Sequence, residues 1–308
     1  MDTIYDVAIV GGGPCGYTAA LYCVRAGLSA LVLESTGPGG QLATTDRVEN
    51  YPGFVEGING FELADRMKKT AEGFGAKTLR ATVTGLDPAG PVKRIRQDGG
   101  ETLAKAVILA AGAAPRELGL ADEQRLTGRG VSYCATCDGM FYRGKTAAVV
   151  GGGNSAAEEA LVLSKLCRRV FLIHRRDTLR ASKSYLGPLK RADNVTFLWD
   201  TQVTGLQGEE RLTALSLRRR DGEESVLPVN GLFVAIGRKP NTAWLQGLLP
   251  LDDQGYVIAD ETTRTKLPGI FAAGDMRTKP LRQIVTAAAD GAVAAKFAES
   301  YLSGQEGL

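Results

Sequence analysis

Tyr5-Asp6-Val7-Ala8-Ile9-Val10 is apolar at all but one position, and its β-branched residues predict a buried strand. The run breaks at Gly11-Gly12-Gly13-Pro14-Cys15-Gly16. A helix is expected from Tyr17 to about Arg25, ended by Gly27, and a second apolar run, Ala30 to Leu33, closes on Glu34. The same pattern returns later. Thr146 to Val150 predicts a strand, Gly151-Gly152-Gly153-Asn154-Ser155-Ala156 a turn, Ala157 to Lys165 a helix, and Val170 to Ile173 a second strand closing on His174. The offset is constant: 151 − 11 = 140 and 174 − 34 = 140. A fainter repeat pairs Ala106–Pro115 with Gly231–Pro240, each an apolar run followed by Gly-x-x-Pro. Gly269 to Ala273 then predicts a strand ending in Gly274-Asp275, and an alanine-rich helix is expected from Ile284 to about Ala298.

Strands alternating with helices predict an α/β fold with two related domains. First-copy material fills about residues 1–112 and second-copy material about 116–244, while the last strand and helix follow both. If that last part rejoins the first domain, the second is an insertion, with boundaries 1–115, 116–244 and 245–308. Two chain crossings, near 113–117 and 243–248, are then placed to act as a hinge.

The glycine turns carry chemistry. Gly11, Gly13 and Gly16 form G-x-G-x-x-G between strand and helix, and Gly151, Gly153 and Ala156 form G-x-G-x-x-A. Such glycines let backbone N–H groups approach a pyrophosphate at a helix N-terminus. Glu34, 18 residues after Gly16, suits free ribose hydroxyls and repels a 2′-phosphate. His174 holds the equivalent place in the second copy, followed by Arg175 and Arg176, with Arg180 near. Arginines suit a 2′-phosphate through charge-assisted hydrogen bonds. A non-phosphorylated dinucleotide such as FAD or NAD is therefore assigned to the first copy and NADPH to the second. A solvated basic face is the other reading of the arginines, and a structural strand end that of His174. Asp275 is placed to meet a flavin ribityl hydroxyl, or to close an ordinary turn.

Cys134-Ala135-Thr136-Cys137, followed by Asp138, is a dithiol spacing that can close and reopen a disulfide. Zinc would need two further ligands, and Cys15, Cys23, Cys167 and His174 contain no second close pair. Cys15, in the first turn, reads as a small packing residue. Five cysteines in a chain of 308 residues do not suggest a secreted disulfide framework, and the N-terminus lacks a signal-peptide pattern, so a cytoplasmic location is expected. Net charge is +3 (37 − 34) and aromatic content 6%, which argue against nucleic acid, and no apolar run reaches a membrane span. The polar tail from Ser303 to Leu308 is expected to fray.

In combination these motifs resemble the low-molecular-weight, bacterial-type thioredoxin reductases, class II of the pyridine nucleotide-disulfide oxidoreductases, essentially end to end. The matching stretches include Gly39–Leu42, Val48–Gly53, Gly130–Gly139, His174–Asp177, Pro240–Thr242, and Ala273–Asp275 with Arg282-Gln283. The resemblance implies two Rossmann-like domains, the NADPH domain inserted into the FAD domain, in a homodimeric flavoenzyme. Electrons are expected to pass from NADPH to FAD, to the dithiol and to thioredoxin, with rotation of the inserted domain between steps. By matching positions, Gln41, Asn50, Arg282 and Gln283 join Gly11, Gly13, Gly16, Glu34 and Asp275 as FAD contacts. Gly237 joins Gly151, Gly153, Asn154, Arg175, Arg176 and Arg180 as NADPH contacts. Asp138 matches the acid that protonates a leaving thiolate, Cys137 the cysteine nearer the flavin, and Arg129, Met140 and Phe141 the thioredoxin-facing positions.

The segment Arg277–Leu281 departs from the family pattern and leaves its packing open. The chain carries no second redox pair near its C-terminus, as larger reductases do, and no thioredoxin-like segment at its N-terminus. The alternatives are a same-fold flavoprotein reductase with another acceptor and a non-catalytic flavin redox sensor.

Overall fold

The computed structural model describes residues 3–45 and 47–305; Met1-Asp2 and tail residues 306–308 lie outside the described residues. The chain begins with β1 (Ile4–Val10), α1 (Pro14–Arg25), β2 (Ala30–Glu34), α2 (Gly60–Gly73), β3 (Lys77–Arg80), β4 (Val83–Asp87), β5 (Lys93–Gln97), β6 (Gly100–Leu109) and β7 (Ala113–Pro115). It continues through α3 (Glu123–Leu126), β8 (Val131–Ser132), α4 (Ala135–Asp138), β9 (Thr146–Val150), α5 (Asn154–Ser164), β10 (Arg169–Ile173), α6 (Lys183–Arg191) and β11 (Val195–Leu198). Then come β12 (Thr201–Gln207), β13 (Ala214–Arg219), β14 (Glu224–Pro228), β15 (Gly231–Val234), β16 (Arg238–Pro240), β17 (Ile270–Ala272) and α7 (Ile284–Leu302).

The chain divides into two units. The first runs to Ala114 and resumes at Lys239; the second is Pro115–Arg238. The return crossing thus falls earlier than the expected 244/245 boundary. Packing explains the difference: Leu245 and Leu249 are buried in the first unit's core with Val107 and Ile270. The two crossings, β7 and β16, pair with each other as a two-stranded ribbon.

In the first unit the sheet order is β3-β2-β1-β6-β5-β4, with β17 also on β6. β1, β2, β3, β6 and β17 run parallel, and β4 and β5 form an antiparallel flank. Val7 to Val10 are all buried, as a strand covered on both faces requires. α1 and α7 cover one face through small residues, Ala19 and Ala20 with Ala294, Ala295 and Ala298. α1 starts three residues before the expected Tyr17, because Pro14 suits the first helical position, where no N–H is needed. α7 extends past Ala298 to Leu302, and Gln305 N–H bonds to Ser300 O at 3.0 Å, so Ser303 to Gln305 are held rather than frayed.

The second unit repeats the plan: a parallel sheet ordered β11-β10-β9-β15-β8, and a separate antiparallel sheet β12-β13-β14. Ala156, Ala157, Ala160 and Leu163 of α5 are buried against Val149, Val170 and Leu172. The α/β expectation of two similar dinucleotide-binding folds holds in both units. No helix among the described residues is long and apolar enough to cross a membrane.

Candidate functional site

The two glycine loops divide the work of their residues in the same way. Gly11 has φ +108°, and a Cβ there would lie 2.4 Å from Ala110 O; Gly151 has φ +156°, and a Cβ would lie 2.3 Å from Ala235 O. Both positions make the tight turn off the strand. A Cβ at Gly16 would strike Gly11 O at 1.8 Å, so this glycine lets helix meet loop; Ala156, buried, fills the equivalent place. The middle glycines differ. At Gly13 the nearest atom to a Cβ is Gly39 O at 3.9 Å, and at Gly153 there is none within 4 Å. Neither has positive φ. Neither packing nor backbone strain requires glycine at these two N-cap places, whereas a closely approaching diphosphate does. α1 and α5 each begin without a side-chain cap and without an acid in the first turn, leaving N–H groups and the positive helix end for an anion. The residues present therefore fit two bound dinucleotides.

In the first unit Glu34 is buried at the end of β2. Its carboxylate accepts Gly12 N–H through Oε2 and Thr36 N–H at 3.0 Å through Oε1, which fixes the acid beside the loop. Asn50 Nδ2 donates to Gln283 Oε1 at 3.0 Å, joining two expected FAD contacts 233 residues apart. Arg282 Nε donates to Asp275 O at 3.2 Å, and its guanidinium lies over the Tyr256 ring at 3.9 Å. Asp275 sits half-buried on the single turn Gly274–Met276 that follows β17, and Gln41 is exposed on the turn Gly40–Thr44. Cys15 is buried against Gly274, where a Cβ would lie 3.0 Å from Cys15 Cβ. Burial pushes its thiol up, so it packs rather than reacts.

In the second unit Arg180 N–H donates to Gly152 O at 2.7 Å, and Ser182 N–H to Asn154 Oδ1 at 2.8 Å. These bonds tie the arginine segment to the loop. Arg175, Arg176 and Arg180 are exposed, and among the described residues none has a carboxylate within ion-pair distance. His174 lies directly under the loop: a Cβ at Gly152 would sit 2.0 Å from its ring. Burial, then the charges of Arg176, Arg180 and Arg175, lower its pKa and favour its neutral form. Its Nε2 has no hydrogen-bond partner among the described residues. Gly237, with φ +111°, follows β15.

Cys134 and Cys137 form a disulfide, with Cα atoms 5.3 Å apart, across the single turn α4. Cys134 caps that turn, its Sγ accepting Cys137 N–H at 3.2 Å. Ser132, the residue sequence reasoning missed here, holds both ends: its Oγ accepts Cys134 N–H at 3.1 Å and donates to Asp138 Oδ2 at 2.6 Å. Burial raises the Asp138 pKa, outweighing the Ser132 bond, so Asp138 keeps its proton to higher pH than an ordinary carboxylate. Glu159 was also missed. Burial pushes its pKa up to about 8, with Asp138 among the smaller influences. Its sequence signal is an acid on the inward face of α5, three residues after Ala156 and four before Leu163. Arg129 is exposed, as are Met140 (48%) and Phe141 (40%), a pair of apolar side chains just past the dithiol.

Comparison with known proteins agrees with this geometry. The sequence profile described as "Pyridine nucleotide-disulphide oxidoreductase" matches residues 5–291. The chain is 49% identical over 307 residues to a thioredoxin reductase of Mycolicibacterium smegmatis, covering 99% of each. Among solved structures, it is similar to the thioredoxin reductase of Streptococcus pyogenes MGAS5005 at TM-score 0.93 and 40% identity, covering 99% of this chain and 100% of that one. It is similar to the Lactococcus lactis thioredoxin reductase, in a form titled "FR conformation", at TM-score 0.68 and 39% identity, covering 97% and 99%.

Proposed function

The chain belongs to the thioredoxin reductases within the pyridine nucleotide-disulphide oxidoreductases, and on that premise we propose that Cys134–Cys137 is the bond through which reducing power from NADPH, by way of FAD, reaches thioredoxin. The observation that carries this reading is a disulfide capped onto one helical turn, with Asp138, its pKa raised by burial, fixed beside it by Ser132.

The first unit would hold FAD: the Gly11–Gly16 loop and α1 N-terminus at the diphosphate, Glu34 at the ribose, and Asn50, Asp275, Arg282 and Gln283 at the remainder. The second would hold NADPH on Gly151–Asn154, with Arg175, Arg176 and Arg180 supplying cations for the 2′-phosphate. Bound FAD converts hydride from the nicotinamide into the electron pair that a disulfide accepts. Two electrons break the Cys134–Cys137 bond and leave two sulfurs with negative charge. Asp138 holds the proton that one of them takes. The other thiolate attacks the thioredoxin disulfide, forming a mixed disulfide and expelling a partner thiolate, which is protonated. The second cysteine then returns its proton to Asp138 and attacks the mixed disulfide as a thiolate, restoring Cys134–Cys137, and the partner thiolate it expels takes that proton, releasing reduced thioredoxin. Met140 and Phe141 offer the partner an apolar foothold beside the dithiol.

The FAD residues belong to one unit, and the NADPH residues and dithiol both belong to the other; nothing requires both to reach the flavin at once, and the family resemblance implies that they do so in turn, by rotation of the inserted unit. We place the hinge at the β7–β16 ribbon. Two relatives of nearly equal identity match at TM-scores of 0.93 and 0.68. Sequence divergence does not account for that spread, whereas a family whose domains turn does. Three buried free thiols, Cys15, Cys23 and Cys167, suit a reducing cytosol, and a homodimer follows from the family resemblance.

The test is NADPH oxidation with purified thioredoxin, set beside ferredoxin, a peroxiredoxin and a small disulfide. Turnover that depends on thioredoxin supports the proposal; equal or faster turnover with another acceptor reassigns the partner, and none with any acceptor points to a sensor.

A further inference from the structure

In the segment Arg277–Leu281, whose packing the sequence left open, the side chains of Arg277 and Lys279 are built into the interior while Pro280 and Leu281 stay exposed. Arg277 is 1% exposed. Its Nε and one terminal nitrogen grip the carboxylate of Asp290 at 2.8 and 3.0 Å, in the bidentate arrangement that fixes geometry as well as charge. Lys279 Nζ donates to the same carboxylate at 3.0 Å and to Thr286 O at 3.2 Å. Asp290 Oδ2 also accepts Gly274 N–H at 2.8 Å. One buried carboxylate on α7 thus collects two cations and the backbone of the turn that carries Asp275.

The bonds form a continuous path. Asn50 holds Gln283; Gln283 N–H donates to Thr286 Oγ1 at 3.0 Å; Thr286 O receives Lys279; Lys279 and Arg277 meet on Asp290; Asp290 holds Gly274. Arg282 closes the loop by donating to Asp275 O and, at 3.2 Å, to Arg277 O. The turn is pinned to the diphosphate loop as well. Gly274 has φ +72° and touches Cys15, and a Cβ at Gly291, beside Asp290, would lie 2.2 Å from Cys15 O.

Arg277 also reaches the exposed Glu261 carboxylate at 3.3 Å, yet a buried ionic cluster of this kind is a poor way to gain stability, because apolar residues of similar volume fill such space as well or better. What the cluster does supply is a fixed position for a backbone that must meet a ligand. We infer that Arg277, Lys279 and Asp290 are positioning residues for FAD, a buried ionic lock that sets the Gly274–Asp275 turn and the Asn50–Gln283 pair in their binding geometry before the cofactor arrives. The inference rests on the assignment of FAD to the first unit.

The test uses flavin-loaded Lys279→Met, which leaves the Arg277–Asp290 pair intact, and the apolar triple variant R277M/K279M/D290L. Release of FAD on dilution is followed by recovery of free-flavin fluorescence, and unfolding by circular dichroism. The lock predicts release at least about tenfold faster in both variants, the loss that accompanies one charge-assisted hydrogen bond, at a temperature where both remain folded. Release within about twofold of the unaltered protein in folded Lys279→Met overturns the inference, and this variant decides alone if the triple does not fold. If the unaltered protein itself retains no FAD, it is the cofactor assignment that fails.

Discussion

Replacing Gly153 by alanine separates a residue kept for the fold from one kept for a ligand. The position has φ −98°, which alanine adopts without strain, and no protein atom lies within 4 Å of the added Cβ. A glycine-to-alanine change in a compatible conformation stabilises by about 0.4–1 kcal/mol through the unfolded chain. Gly153 is also the N-cap of α5, where alanine is poorer than glycine, so the two effects oppose and the unfolding midpoint is expected to change little. A dinucleotide diphosphate seated on the loop meets that methyl group. Overpacking of this kind costs about 1–3 kcal/mol, so the KM for NADPH is expected to rise about 5- to 150-fold at 1.4 kcal/mol per decade. Gly16→Ala is the control of opposite character: its Cβ would strike Gly11 O at 1.8 Å, so the fold itself is expected to weaken. The assay is steady-state turnover over a range of NADPH concentrations beside a thermal melt. An unchanged KM in a fully folded Gly153→Ala protein would refute the reasoning that the second glycine of the loop is there for the diphosphate.

Changing Arg175 and Arg176 to alanine should depress kcat/KM with NADPH and leave NADH use unaltered. The side chains are exposed, so each bond is worth the lower end of its range, about 1.5 kcal/mol, and the pair about 100-fold; an unchanged NADPH/NADH ratio would sink the phosphate assignment. Asp138→Asn should slow thioredoxin reduction about 10²- to 10⁴-fold with FAD content intact. In the unaltered protein that rate should fall as pH rises through the raised pKa of Asp138, and the same falling limb in the Asn variant would count against its role. Glu159, pushed up to about 8 by burial, binds its proton more tightly folded than unfolded. Stability should therefore fall as pH rises from about 5 to about 8, by roughly 2 kcal/mol after allowance for partial exposure. Glu159→Gln should abolish that slope, and identical slopes in both proteins would remove Glu159 as its source.

The glycine loops, the constant offset between the two copies and the dithiol were legible because each is local: backbone geometry and one-turn spacing impose them within a few residues. Asn50 and Gln283 were legible as FAD contacts only through family resemblance, and the bond between them was not legible at all, since no local rule joins positions so far apart. Asp290 and Glu159 belong to no local motif. Each nevertheless falls on the apolar face of its helix, Asp290 between Ala287 and Ala294, Glu159 between Ala156 and Leu163. A charge on a buried stripe demands a partner or a proton, and here one acid has found cations while the other retains its proton. The return crossing was misplaced for a related reason. Asn241 to Leu249 carries no periodicity that says which core it joins, and burial of Leu245 and Leu249 in the first unit decides it.

The most direct test of the account is to add NADPH without oxygen to the flavin-loaded protein and titrate accessible thiols after denaturation. A gain of one pair of thiols per chain, abolished in Cys134→Ser and in Cys137→Ser proteins that still hold FAD, is the predicted result. No gain in the unaltered protein, or the same gain in the serine variants, would contradict it.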